Sequence, residues 1–225
     1  MSGKIVHELV VATSNRGKLE ELRELLEGLP IVLRTLEEVG AGPDKLTIVE
    51  DGATFEENAV KKAKAVAEAT MTLTIADDSG LEVDALGGAP GVRSARFASE
   101  RATDAENNAA LIARLEELGD GLGGENLFPA RFRCVLALVD PYGAFEPHLS
   151  EGRCEGTVMR SPRGAGGFGY DPLFIPAGGD QTLAELEAAE KNRISHRALA
   201  ALRIRPILER LVLDRDEKIR KMFGA

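Results

Sequence analysis

Asp77 and Asp78 close an apolar run and are followed at once by Ser79 and Gly80. Two adjacent carboxylates at the carboxyl end of a buried strand suit Mg²⁺, which takes one or two protein carboxylates together with water and phosphate oxygens. Such strand ends are where ligands collect in open α/β sheets. Successive strand residues point to opposite faces, so both acids need not meet one ion. A polar turn closed by an Asx-type hydrogen bond would read the same way.

A second constellation is Thr13-Ser14-Asn15-Arg16-Gly17-Lys18. It lies where an apolar run gives way to helical periodicity, so unpaired N–H groups, a dipole end and two cations would face an anion. It is a phosphate cradle in outline but not a Walker A loop, because Ala12 stands where the first glycine should be and Leu19 follows the lysine. Ser14 or Asn15 acting only as a helix cap, with Lys18 solvated, fits this stretch as well.

The run from Gly164 to Pro172 contains a formal G-x-G-x-x-G. A dinucleotide-binding turn must leave a strand and open a helix, whereas Ser161-Pro162 precedes this run and Asp171-Pro172 closes it. A flexible loop that sets Phe168 or Tyr170 against a planar base is the better reading, with a plain surface turn as the alternative. Ser195-His196-Arg197, just after Glu190-Lys191, gathers donors where the last helix begins. A serine hydrolase is disfavoured, since there is no G-x-S-x-G elbow and none of the three histidines has a triad context.

These groups need elements to hold them. Residues 9–12 read as a buried strand, and Leu19, Leu22, Leu25 and Leu26 then recur at helical spacing. A strand is expected over 31–35 and a long loop over 36–52. Phe55, Ala59, Ala63, Val66 and Ala67 form a helical stripe from Thr54 to about Ala69, and Asn58 and Lys62, four apart, share one side of it. The spacing predicts a strand over 72–76 that ends in the Asp-Asp-Ser-Gly run, a helix over 104–118 and an exposed turn over 119–124. Strands over 130–139 and 145–159 follow, joined by Asp140-Pro141-Tyr142-Gly143. Helices are expected from about Leu183 and again after Ser195, with Pro206 as a kink point. The alternation predicts an α/β fold: a mixed, twisted central sheet flanked by helices, in two lobes with the active site in the cleft between them.

The chain has 225 residues, 44% hydrophobic and 29% charged, as expected of one globular α/β domain over 1–225. A net charge of −9 argues against nucleic acid or an anionic membrane as the partner and leaves a small anion that needs local cations. Cys134 and Cys154 lack metal-ligand spacing and read as buried thiols of a reducing cytosol. With no signal-like or membrane-length apolar run, a cytoplasmic location is expected.

Five stretches, in order, resemble the inosine triphosphate pyrophosphatase family of non-standard purine nucleoside triphosphate pyrophosphatases: VVATSNRGKLEEL, EDGATFEENAVKKAKA, IADDSGLEVDALGGAPGVRSARF, GGFGYDPLF and AELEAAEKNRISHRALAAL. The resemblance spans residue 10 to about residue 202. It implies that Thr13, Asn15 and Lys18, with Ser14, Arg16 and Gly17 between them, hold the triphosphate. It implies Glu50 and Asp78 as the acids that hold Mg²⁺, Asp78 as proton acceptor, and Lys62 as a catalytic lysine facing the phosphates. Ser79, Phe168, Gly169, Tyr170, Asp171, Lys191, His196 and Arg197 would contact substrate.

The implied reaction is attack of water on the α-phosphorus of inosine or xanthosine triphosphate, releasing the monophosphate and pyrophosphate. A homodimer is implied as well. Ser14 departs from a commoner glycine, which is harmless provided the backbone there needs no positive φ. Neither 119–124 nor the tail 212–225 takes a role from the resemblance. A non-catalytic nucleotide-binding module is the rival from another class, and the Glu50–Asp78 pair speaks against it.

Overall fold

The computed structural model describes residues 5–120 and 126–223. Residues 121–124 of the expected exposed turn therefore lie outside the described residues. Six strands form one sheet: β1 (His7–Ala12), β2 (Ile31–Arg34), β3 (Leu73–Val83), β4 (Leu127–Val139), β5 (His148–Met159) and β6 (Phe174–Pro176), in the order β2-β1-β3-β4-β5-β6. β1 runs parallel to both β2 and β3, while β5 and β6 are antiparallel, so the sheet is mixed as the alternation predicts. The α-helices among the described residues are α1 (Arg16–Leu25), α2 (Phe55–Thr70), α3 (Asp104–Glu116), α4 (Ala188–Ile194) and α5 (His196–Phe223).

The chain divides into two compact units. The first comprises residues 1–78, 135–151 and 200–225, and the second comprises 79–134 and 152–199. In the first, the apolar β1 is fully buried from Leu9 to Val11, and α2 buries the stripe read from its sequence. The core of the second is built on Leu81, Leu111, Leu115, Phe128, Phe132 and Phe174.

Several expectations need correction. The strand over 72–76 does not stop at the acids: β3 continues through Asp77, Asp78, Ser79 and Gly80 to Val83. Its pairing with β1 ends at Ala76, but β4 flanks its other edge, so the polar residues extend a strand where a turn was expected. The helix expected from Leu183 begins at Ala188. Leu183 is instead fully buried and donates its N–H to the Phe174 carbonyl at 2.9 Å, beside the short β6, a strand not expected from the sequence.

Pro206 does not end α5, and residues 212–223 continue that helix. Val212 is buried, Arg215 pairs with Asp140, and Asp216 meets His7 at 2.6 Å, which gives the unassigned tail a structural role in the first unit. Among the described residues no helix is long and apolar enough to cross a membrane. Both cysteines are buried, and neither forms a disulfide.

Candidate active site

The first unit gathers the residues expected from the sequence at the phosphates and the metal. β1 ends at Ala12 and α1 starts at Arg16, so the linking residues turn sharply. Thr13 Oγ1 accepts the Asn15 N–H at 3.1 Å, and Asn15 Oδ1 accepts the Lys18 N–H at 3.0 Å. Asn15 is thus the helix cap, one of the readings its sequence allowed, and it leaves other N–H groups of the first turn open to an anion. Ser14 has no positive φ, so replacing the commoner glycine costs the cradle nothing. Thr13, Ser14, Asn15, Arg16 and Leu19, with Thr35 and Glu37, line a cavity of about 350 Å³.

Lys18 reaches the fully buried Asp77 at 2.6 Å. Lys62, buried on α2, places its ammonium 2.7 Å from Glu50 Oε2 and 2.7 Å from Asp78 Oδ1. The alternation of strand side chains holds: the two aspartates take different lysines. Asn58 belongs to the same cluster, its Nδ2 lying 3.4 Å from Asp78 Oδ2 while its Oδ1 accepts the Gly52 N–H at 2.8 Å. A Cβ at position 52 would stand 2.6 Å from that oxygen, so only glycine permits the approach. Asp77 was read with Asp78 as a candidate metal acid, but its pairing with Lys18, like the place of Asn58, depends on tertiary approach.

Charge in this cluster is unevenly shared. Burial pushes the Asp78 carboxyl above the usual range, and the Lys62 and Lys18 ammonium groups only partly offset it. For the more exposed Glu50, burial also acts upward, but Lys62 and Lys18 outweigh it and hold the carboxyl below its ordinary value. Burial would lower Lys62, yet the Asp78 and Glu50 carboxylates overcome it and keep the ammonium charged. A raised pKa makes the Asp78 carboxylate a stronger base than an exposed aspartate would be.

Glu50 and Asp78 converge on one cationic point, which fits an ion such as Mg²⁺ bound by two carboxylates. Among the described residues no three His, Cys, Asp or Glu side chains could hold a metal ion together. An ion at Glu50 and Asp78 would therefore complete its shell with water and substrate oxygens.

The second unit gathers the residues expected from the sequence at the base. Arg197, 1% exposed, donates to Ser79 Oγ at 2.9 Å. Lys191 meets Asp171 Oδ2 at 2.6 Å, and the same oxygen accepts the Phe168 N–H at 2.9 Å. Lys191 Nζ and the Arg197 guanidinium lie 4.8 Å and 5.5 Å from the centre of the Phe168 ring. His196 stacks on Phe132 with ring centres 4.7 Å apart. Each of these side chains except Phe168 and Ser79 is buried, where charged groups are rare unless paired.

Tyr170 differs from its reading: it is a core residue whose hydroxyl donates to the Ser94 carbonyl at 2.9 Å, so its ring is not offered to a base. The glycine-rich loop is also more closely held than a flexible loop would be. Gly167 has φ +68°, and a Cβ there would stand 2.1 Å from Asp171 Oδ2.

With this geometry in hand, a family model described as the Ham1 family matches residues 9–207. The chain belongs to the Ham1 family. Within it, a dITP/XTP pyrophosphatase of Desulforamulus reducens is 48% identical over 211 residues, covering 93% of this chain and 99% of that relative. The dITP/XTP pyrophosphatase of Bacillus subtilis is 45% identical over 205 residues, covering 91% and 98%. Among solved Ham1 structures, a HAM1 protein from Coxiella burnetii superposes with a TM-score of 0.78 at 40% identity, covering 90% of this chain and 98% of that one. The α/β fold with its mixed sheet is thus the Ham1 fold, and the resemblance read from the five stretches holds.

Proposed function

We propose that this Ham1-family chain hydrolyses non-standard purine nucleoside triphosphates, those of inosine, deoxyinosine and xanthosine, to the monophosphate and pyrophosphate in the cytoplasm. The observation that carries the reading is Lys62, buried and shared between Glu50 and Asp78. A module that only bound nucleotides would gain little from two acids held beside phosphate-binding cations. The names of the relatives support the same substrate class. A homodimer belongs to this reading through the resemblance.

The residues divide the work. N–H groups at the start of α1, with Lys18 and Lys62, bind and orient the phosphates. Asp78 takes a proton from the attacking water as its oxygen bonds to the α-phosphorus and the bond to the leaving pyrophosphate breaks. Fixed positive charge there favours the charge that builds on the leaving group. Glu50 and Asp78 would hold Mg²⁺, which when bound supplies Lewis-acid neutralisation of phosphate oxygens.

Lys191, His196 and Arg197 present donors to a 6-oxo group. Adenine offers a 6-amino donor in its place, and a mismatch of this kind can reach roughly 10⁴-fold in a well-built site.

The test is Asp78→Asn, close to isosteric and expected to fold. Magnesium-dependent pyrophosphate release from inosine triphosphate should fall by roughly 10²- to 10⁴-fold. A folded variant with near-normal turnover refutes the assignment.

A further inference from the structure

Gly169 follows Phe168, has φ +61°, and has both of its own polar backbone groups taken by one helix. Asp104 Oδ2 accepts the Gly169 N–H at 2.7 Å, and Asn108 Nδ2 donates to the Gly169 carbonyl at 3.0 Å. Positions 104 and 108 are one turn plus a fraction apart and so share a face of α3. The asparagine amide is oriented by this bond, since its other end, Oδ1, has no hydrogen-bond partner among the described residues.

We propose that Asp104 and Asn108 are positioning residues for base selection: a two-point clamp that sets the height and tilt of the Phe168 ring. This rests on the functional reading above. Neither residue belongs to the sets assigned to phosphate, metal or base contact. They act through the backbone. On its own side Phe168 is fixed by its N–H to Asp171, and beyond Gly169 the chain is fixed by Tyr170 in the core. Gly169 is the joint between these fixed points, and a glycine in the left-handed region has no side chain of its own to hold it. The clamp removes that freedom from outside. Phe168 carries Lys191 and Arg197 against its ring, so a displaced ring disturbs two proposed base-reading donors together.

The variants are Asp104→Ala and Asn108→Ala, with Asp104→Asn as a conservative rescue whose amide oxygen can still accept the N–H. Glu106→Ala is the control. Glu106 completes the capping box with Thr103 on the same first turn, so its loss weakens α3 without touching the loop. For the two clamp variants we expect KM for inosine triphosphate to rise about tenfold, kcat to stay within about twofold, and preference for inosine over adenosine triphosphate to fall about tenfold. The Gly169 amide should exchange with solvent at least about tenfold faster in Asp104→Ala, the scale of one charge-assisted hydrogen bond. Asp104→Asn should restore most of each change, and Glu106→Ala should lower the melting temperature while leaving preference and exchange at Gly169 unaltered.

If clamp variants keep the wild-type preference, or if Glu106→Ala alters it equally, the clamp is refuted and the functional reading stands. If the wild-type enzyme itself shows no preference for inosine triphosphate, the functional reading fails and the clamp falls with it.

Discussion

Lys62→Met should separate the two jobs of the shared ammonium. Lys62, Glu50 and Asp78 form a triad whose lysine and aspartate side chains are 9% and 10% exposed. Removing one partner of a buried ion pair costs about 3–5 kcal/mol, because the remaining charge is left buried and unpaired. Glu50, with its side chain 36% exposed, is partly screened, so the lower end applies, about 3 kcal/mol. In a chain of this size that is a fall in melting temperature of about 6–12 °C, measured with chelator present.

The deficit has a sign in pH. The Asp78 carboxyl already sits above its unfolded value, so its contribution to stability is present below the unfolded pKa and is lost as pH rises through the folded one. Glu50, depressed by Lys62, stabilises above its unfolded pKa and forfeits that gain in the variant. Both effects make the deficit larger at pH 8 than at pH 5.

Magnesium at about 100 times its Kd should then return about 2.7 kcal/mol to the variant. Wild type should gain less, because the ion must displace Lys62 from the same oxygens. Turnover should stay down by roughly 10²- to 10³-fold, as for loss of a fixed charge-stabilising group. Equal deficits at pH 5 and pH 8, or equal stabilisation of both proteins by magnesium, would refute the reasoning.

Two further outcomes concern Cys154 and the end of α5. Burial, then the Glu155 and Asp171 charges, push the Cys154 thiol up to about 11. At pH 8 its thiolate fraction is about 10⁻³, against about a quarter for an ordinary thiol, so alkylation of native protein should be at least about 100-fold slower than in denaturant. Rapid modification of the folded protein would contradict this. Ending the chain after Leu211 removes buried Val212 and the partners of Asp140 and His7. The melting temperature should drop by roughly 5–15 °C, with unchanged kcat/KM per folded molecule. A loss of activity without a loss of stability would point to a catalytic part for the tail.

Local signals made much of this legible. The α2 stripe, the helix start after Asn15 and the β1 run depend on periodicity and capping, which a sequence displays directly. The fate of Asp77 to Gly80 was not legible, because whether a polar run turns or continues depends on a neighbouring strand from residues 127–139. Tyr170 was misread for a related reason: an aromatic beside glycines fits a stacking platform or a core residue, and only the Ser94 carbonyl decides between them. Asn58 and the α3 clamp escaped because their partners lie six residues away around a bend or sixty-one residues away along the chain. The helix after Ser195 was legible, but the role of residues 212–223 was not, because their partners His7 and Asp140 lie far away along the chain.

That helix has a consequence during synthesis. Thr13, Lys18, Glu50, Lys62 and Asp78 have all left the ribosome while most of the polypeptide is still unmade, yet the unit that holds them also requires residues 135–151 and 200–225. Arg205 donates to the carbonyls of Leu25 and Glu27, and Ser150 donates to the Ala200 carbonyl, so α1 and β5 are both tied to α5, which is made after them. A nascent chain stalled before residue 200 would carry Thr13, Lys18, Glu50, Lys62 and Asp78 and still lack the helix that holds the end of α1.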